Sequence, residues 1–180
     1  MINYKLFTTE IPFFKDDINY DSFPKTFHGS VPESYLSNEL LKIIQSTGLT
    51  IRLVETFFRN PNRNPRSPIH VDAGGRFTDI AKLNYIFRGN GSKMLWYQPL
   101  NDNKIISKTP INTSYISYEL DQVKLIESVE LHGPAIIQAG VPHSIINETE
   151  DRLCVSVVLF NSSRPATMNE VLTLFEPYLI

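Results

Sequence analysis

The feature that most constrains this chain is a series of short apolar segments between residues 69 and 160, each bounded by turn-forming residues. The turns that separate the segments lie at Gly74-Gly75, Gly89-Asn90-Gly91, Asn101-Asp102-Asn103, Gly133-Pro134 and Gly140. No segment between these turns has the length and the apolar period of a helix. Many short strands at close spacing predict a β-sandwich or a barrel, because a parallel sheet would need helical crossovers.

The predicted strands follow from these turns and from the alternation of apolar and polar residues between them. They span residues 49–59, 69–73, 80–87, 93–98, 114–120, 123–129, 135–138, 143–146 and 152–160. A helix is predicted over residues 33–47, where apolar residues recur at helical spacing and Gly48 follows as a stop. A second helix is predicted near the C-terminus, because Thr167 and Glu170 form a capping box before an apolar face.

The predicted fold class is therefore mainly β, a double-stranded β-helix (jelly roll) with flanking N- and C-terminal helices. A chain of 180 residues has the length of one domain. In this single jelly-roll domain, residues 1–49 are expected to form an N-terminal arm and helix, residues 50–160 the barrel, and residues 161–180 the C-terminal helix.

Charge and cysteine content argue against several classes of function. A net charge of −2 and a pI near 6.1 disfavour bulk nucleic-acid binding and binding to anionic membranes, since both need a basic surface. The single cysteine, Cys154, cannot form an intramolecular disulfide, which favours a reducing compartment. Residues 1–14 lack the pattern of a secretory signal, and no apolar stretch approaches the length of a membrane span. We therefore expect a cytoplasmic protein.

The candidate metal ligands begin with His70 and Asp72, which lie two residues apart on a predicted strand and so point to one face. His143 follows the turn at residues 140–142 and offers a second imidazole once the intervening strands have brought the chain back. Two histidines and one carboxylate on one side of a metal leave other positions open, which suits non-haem Fe(II) and its reaction with O₂. The alternative is a polar His-x-Asp pair at a strand end.

Arg152 opens an otherwise apolar strand and shares one face of it with Cys154 and Ser156. If that face points inward, the buried guanidinium needs an anion, and a carboxylate held by two hydrogen bonds is its natural partner. The alternative is a surface arginine at the start of a strand. Cys154 itself is expected to be a small core residue.

The order His70-x-Asp72, then His143, then Arg152 resembles the Fe(II)/2-oxoglutarate-dependent oxygenase superfamily. The resemblance covers roughly residues 50–160, and it extends to small bacterial and phage-type members and to relatives of the aspartyl/asparaginyl hydroxylases. The segments outside the ligands that are similar to strands of these proteins are residues 82–85, 95–97 and 132–156.

This resemblance implies both a reaction and residue roles. His70, Asp72 and His143 would be the metal ligands and the catalytic centre. Arg152 would bind the distal carboxylate of 2-oxoglutarate, the co-substrate. Oxidative decarboxylation of 2-oxoglutarate to succinate and CO₂ would be coupled to hydroxylation of an unactivated C–H bond in an amino acid, a peptide side chain or a small metabolite.

Asn84 and Ser156 are the further candidate cofactor-binding residues. Asn84 either points inward, as an amide that contacts 2-oxoglutarate or substrate, or points outward together with Lys82. The superfamily often has serine or threonine two residues after the arginine, where this chain has Cys154. We therefore expect the co-substrate contacts to differ in detail from those of the superfamily.

Other polar residues near the metal strand have two interpretations. Arginines bracket that strand at Arg59, Arg63, Arg66 and Arg76. They form either a solvated loop or a rim that recognises an anionic substrate, and Gly74-Gly75 would keep such an entrance open. The remaining histidines, His28 and His132, are expected to be structural or exposed rather than ligands.

Two other functions remain open from the sequence. The first is a cupin-type metal enzyme that works without 2-oxoglutarate, although such sites usually contain a His-x-His pair, which this chain lacks. The second is a non-enzymatic jelly-roll binding or structural module. The sequence does not determine the oligomeric state.

Overall fold

The computed structural model describes residues 2–72, 78–108 and 114–180. Its strands are β1 (Tyr4–Leu6), β2 (Gly29–Ser30), β3 (Thr50–Arg59), β4 (Ile69–Val71), β5 (Ala81–Ile86), β6 (Lys93–Pro99), β7 (Ile105–Lys108), β8 (Ser114–Tyr118), β9 (Val123–Glu130), β10 (Gly133–Gln138), β11 (His143–Ile146), β12 (Arg152–Asn161) and β13 (Arg164–Pro165). Its α-helices are α1 (Asn38–Ser46) and α2 (Met168–Leu174). Short 3₁₀ turns lie at Tyr20–Ser22, Glu33–Tyr35, Leu120–Gln122 and Glu176–Tyr178.

Within the described residues, these strands form two antiparallel sheets, one of seven strands and one of six. The seven-stranded sheet has the order β1-β10-β5-β12-β3-β2, with β13 paired to β12. The six-stranded sheet has the order β7-β8-β4-β11-β6-β9. Most neighbours in each sheet, such as β5 and β12 or β4 and β11, are distant in sequence, as in a jelly roll, so the predicted fold class is confirmed. No helix among the described residues is long and apolar enough to cross a membrane.

The alternation of side chains along the central strands of the seven-stranded sheet separates core from cavity. On β12, Val155 and Val157 face the largest apolar cluster, which also contains residues of the N-terminal arm and both helices. The residues that alternate with them, Cys154 and Ser156, point to the opposite face and line a cavity. The sheet therefore has one face covered by the arm and helices, and one face available for a site.

The N-terminal region differs from the sequence prediction. The helix expected from residue 33 begins at Asn38, because the Ser37 hydroxyl caps it by accepting a hydrogen bond from the Leu40 N–H at 3.0 Å. Residues Glu33–Tyr35 form a 3₁₀ turn instead. Gly48 ends the segment with a φ of 76°, a conformation that suits glycine.

Several short edge strands were not predicted. β1 and β2 lie in the segment expected to be an extended arm, yet they pair with β10 and β3. β7 pairs with β8 at one edge of the six-stranded sheet. Strands of two to four residues contain too few residues to show an alternating pattern, so pairing with a neighbour determines them.

The capping box of α2 gives a test of the C-terminal element. The Glu170 N–H donates to the Thr167 hydroxyl at 3.2 Å, and the Thr167 N–H donates to the Glu170 carboxylate at 2.9 Å. We expect Thr167→Ala to lower the free energy of unfolding by about 1 kcal/mol, because a helix N–H loses its partner. Thr173→Ala, at an exposed position of the same helix, is the control and should change it little. Equal urea midpoints for the two variants would contradict this role of the cap.

Candidate metal centre

The candidate metal ligands come together on neighbouring strands of the six-stranded sheet. His143 on β11 is the direct cross-strand partner of His70 on β4, and the two rings lie 4.4 Å apart between centroids. Asp72 follows β4 directly, and its Oδ1 lies 3.5 Å from the Nε2 atom of His70. One donor atom from each residue lies within 4.8 Å of the others. This set can therefore hold a metal ion, as the sequence predicted.

Both imidazole rings are oriented by backbone carbonyls. The Nδ1 atom of His70 lies 2.9 Å from the carbonyl oxygen of Pro68, and the Nδ1 atom of His143 lies 2.9 Å from that of Val141. Since a carbonyl oxygen can only accept, each Nδ1 must donate, which leaves the lone pair on Nε2. Contacts of this kind hold metal-binding histidines in the correct tautomer and orientation.

The charge states of the ligands suit a divalent cation. Burial, together with His70, lowers the pKa of His143 to about 4, so its imidazole is neutral at neutral pH. Burial alone would raise the pKa of Asp72, but the ammonium group of Lys82, the largest opposing influence, holds it well below its usual value. The site thus offers a neutral imidazole from His143 and an ionised carboxylate.

A buried ion-pair network supports Asp72 from the opposite sheet. The Nζ atom of Lys82 on β5 lies 2.7 Å from Asp72 Oδ2 and 2.7 Å from Glu55 Oε2. The other oxygen of Glu55 lies 3.0 Å from the Nε2 atom of His28. Burial disfavours the charge of Lys82, yet Asp72 and Glu55 together raise the pKa of Lys82 well above its usual value.

Lys82 and Glu55 were not predicted to be parts of the site, although the sequence contains one signal for Lys82. Lys82 and Asn84 alternate with Leu83 and Tyr85, and those two apolar residues pack against the arm and helices. Their polar neighbours must then face the cavity, so the interpretation that Asn84 points outward is wrong. His28 belongs to the same network, because its side chain is buried against Glu55.

A cavity of about 290 Å³ lies in front of the ligands. All the residues predicted for the site line it, namely His70, Asp72, Asn84, His143, Arg152 and Ser156. Its volume is close to the lower end of the range for small-molecule sites, roughly 300 Å³. The face of β12 that carries Arg152 therefore points into the cavity. A guanidinium group buried in this way needs an anion as its partner.

The arginines near the metal strand separate into two groups. Arg63 and Arg66 are exposed and do not line the cavity, and Arg66 pairs with Glu148 at the surface at 3.3 Å. Arg59, by contrast, is buried and lines the cavity. Arg76 and the Gly74-Gly75 pair lie outside the described residues.

Lys82 provides a test of the network around Asp72. We expect Lys82→Met to lower the free energy of unfolding of the metal-free protein by about 3–5 kcal/mol, because Asp72 and Glu55 lose their shared cation while buried. Lys93→Met, at an exposed position of β6, is the matched control and should change it by less than about 0.5 kcal/mol. Urea unfolding measures both. A loss for Lys82→Met no larger than that of the control would refute this role of the ammonium group.

Comparisons with known proteins do not assign a family. No family model matches the chain, and no curated protein matches it significantly. Among solved structures, E. coli ycfD aligns with 75% of this chain at 14% identity and a TM-score of 0.39, and this chain spans 32% of that one. Peruvianin-I, a cysteine peptidase from Thevetia peruviana latex, aligns with 92% of this chain and 93% of its own at 13% identity and a TM-score of 0.36.

An oxalate oxidase in complex with the substrate analogue glycolate aligns with 90% of this chain and 65% of its own, at 16% identity and a TM-score of 0.33. Similarities of this strength do not carry a function from one protein to another. The chain is therefore a jelly-roll protein in which a His-Asp-His set, able to hold a metal ion, lines a cavity.

Proposed function

We propose that this chain is an Fe(II)- and 2-oxoglutarate-dependent oxygenase that hydroxylates an unactivated C–H bond of an amino acid, a peptide side chain or a small metabolite. The observation that carries the proposal is the convergence of two features on one cavity. The His70, Asp72 and His143 side chains line it, and so does the buried guanidinium of Arg152. A metal-binding set and a cationic anchor in one cavity suit a co-substrate that carries a chelating group and a separate carboxylate.

The donor set fits Fe(II). Two imidazoles and one carboxylate are the donor types of the facial arrangement in non-haem Fe(II) oxygenases, and they would leave the remaining coordination positions for co-substrate and O₂. When bound there, Fe(II) supplies the activation of O₂ that is coupled to decarboxylation of 2-oxoglutarate. The protein orients the ligands through the carbonyls of Pro68 and Val141 and keeps Asp72 ionised through Lys82.

The carboxylate ligand also bears on the type of reaction. Asp72 would hold a coordination position that a halide would need in a halogenating enzyme. Its ion pair with Lys82 fixes the carboxylate beside the two histidines. We therefore assign hydroxylation, and not halogenation, as the outcome.

The wall between the ligands and Arg152 contains polar atoms that suit a bound co-substrate. The Oδ1 atom of Asn84 and the Oγ atom of Ser156 are buried without a hydrogen-bond partner among the described residues. Ser156 is the direct cross-strand partner of Asn84, so their side chains lie on the same part of the wall. Buried polar groups without partners are costly, and a polar ligand would satisfy them.

Metal binding is the first test of this proposal. We expect wild type to bind one Fe(II) per chain under anaerobic conditions, and the His70→Ala/Asp72→Ala double variant to lose this binding, because only one of the donor side chains is left. His132→Ala removes an exposed histidine outside the cavity and is the control. Anaerobic calorimetry measures the stoichiometry. A double variant that binds Fe(II) as tightly as wild type would show that the ligands are wrong.

Selection among 2-oxo acids is the second test. Any 2-oxo acid can chelate a metal, so the second carboxylate distinguishes 2-oxoglutarate, and Arg152 is proposed to bind it. Loss of one partner of such a pair costs on the order of 2–5 kcal/mol, so we expect Arg152→Ala to raise the dissociation constant of 2-oxoglutarate by tens- to thousands-fold. Arg152→Lys should rescue only partly, since it keeps the charge but loses the planar fork.

Pyruvate is the matched ligand for this test, because it chelates in the same way but lacks the distal carboxylate. Its dissociation constant should change little on Arg152→Ala, and Fe(II) binding should persist. Titration of both acids into Fe(II)-saturated protein under anaerobic conditions gives the constants. If Arg152→Ala binds 2-oxoglutarate as wild type does, Arg152 does not hold its distal carboxylate.

A further inference from the structure

A second buried arginine lies beside Arg152. Arg59, the last residue of β3, is the direct cross-strand partner of Arg152, the first residue of β12. Each side chain is only about 4% exposed, and both line the cavity that contains the metal ligands. The register of two adjacent antiparallel strands therefore places both guanidinium groups in the same buried part of the cavity wall.

Among the described residues, no anionic side chain compensates these two cations. Neither guanidinium forms an ion pair with a carboxylate in the part of the chain that the structure describes. The Nη1 atom of Arg59 is buried with no hydrogen-bond partner there. Burial raises the pKa of the nearby Cys154 thiol, so this group remains protonated at neutral pH and supplies no negative charge.

Arg59 is nevertheless charged and held in place. Burial and the neighbouring Arg152 lower the pKa of Arg59 to about 10, which leaves it protonated at neutral pH. The ring of Phe27 lies 4.9 Å from its Cζ atom, a cation–π contact that positions the group but does not neutralise it. Two buried like charges without a counterion destabilise the ligand-free protein. An arginine with a purely structural role would have its donors saturated.

We propose that Arg59 and Arg152 form one anion site, in which both guanidinium groups bind the distal carboxylate of a 2-oxo diacid, so that Arg59 is a second specificity-determining residue. The inference rests on the proposed function, because that function supplies the diacid. A carboxylate can accept up to about four hydrogen bonds, enough for two guanidinium forks. The bound anion supplies the negative charge that the described residues lack at this position.

The inference predicts opposite effects on stability and on binding. Replacing Arg59 by Met removes a buried, unpaired charge, and the melting temperature of the ligand-free protein should rise. Arg59→Gln should weaken binding of glutarate, a five-carbon diacid without the chelating oxo group, by about ten- to a hundredfold, since a charged hydrogen-bond donor is lost. A purely structural Arg59 predicts the reverse pattern: lower stability and unchanged binding.

The test measures glutarate binding to the full chain by calorimetry, with and without Fe(II) under anaerobic conditions. Arg52→Gln is the matched control, because Arg52 is on the same strand and lines the cavity but is exposed. It should change the dissociation constant by less than about twofold, since charges at an exposed position are screened. Arg59→Lys, which keeps the charge, should retain part of the affinity for glutarate. This second variant still tests the inference if Arg59→Gln fails to fold.

The outcomes separate the inference from the proposed function. Arg59-dependent glutarate binding, together with 2-oxoglutarate binding that Fe(II) strengthens, supports both. Arg59-dependent glutarate binding without any effect of Fe(II) on 2-oxoglutarate supports the anion site and overturns the proposed function. Fe(II)-dependent 2-oxoglutarate binding that Arg59→Gln leaves unchanged overturns the anion site alone. Failure of wild type to bind either diacid overturns both.

Discussion

The ammonium group of Lys82 connects the two sheets at the position where the metal would bind. It comes from the seven-stranded sheet, and it pairs at 2.7 Å both with Glu55 of the same sheet and with Asp72, which follows β4 of the other. The pairing keeps Asp72 ionised in a buried environment and fixes its carboxylate beside the rings of His70 and His143. The candidate metal centre depends on this contact, because a protonated or rotated Asp72 would leave only the two imidazoles.

The distribution of charge in the cavity follows from the same network. Its carboxylates, the partly buried Asp72 and the buried Glu55, are both engaged by Lys82, so among the described residues neither is available to the buried guanidinium groups of Arg59 and Arg152. Two carboxylates and one ammonium group leave the cavity net negative near the metal ligands, whereas it is cationic at Arg59 and Arg152. Such a division suits a ligand that brings its own carboxylate, and it links the metal-binding and anion-binding parts of the proposed function.

The site residues that could be predicted are those whose position follows from local geometry. His70 and Asp72 share a face because they lie two apart on a strand, and the same rule places Arg152 with Ser156. Lys82 and Glu55 could not be paired in this way, because their contact depends on the order of β5, β12 and β3 in the sheet. The helix α1 begins at Asn38 and not at residue 33, because the Ser37 side chain caps it there, although apolar residues continue the helical spacing before this point. The shortest edge strands depend on their partners and show no pattern of their own.

Consumption of O₂ by the Fe(II)-loaded protein tests the central claim most directly, because the three candidate functions predict different results. The proposed function predicts that O₂ uptake requires both Fe(II) and 2-oxoglutarate, and that succinate forms in proportion to the 2-oxoglutarate consumed. The His70→Ala/Asp72→Ala variant should neither take up O₂ nor form succinate. O₂ uptake that requires metal but is indifferent to 2-oxoglutarate would indicate a metal enzyme of another class. Stoichiometric Fe(II) binding with neither O₂ uptake nor succinate formation, across a panel of amino acids and peptides, would contradict the account.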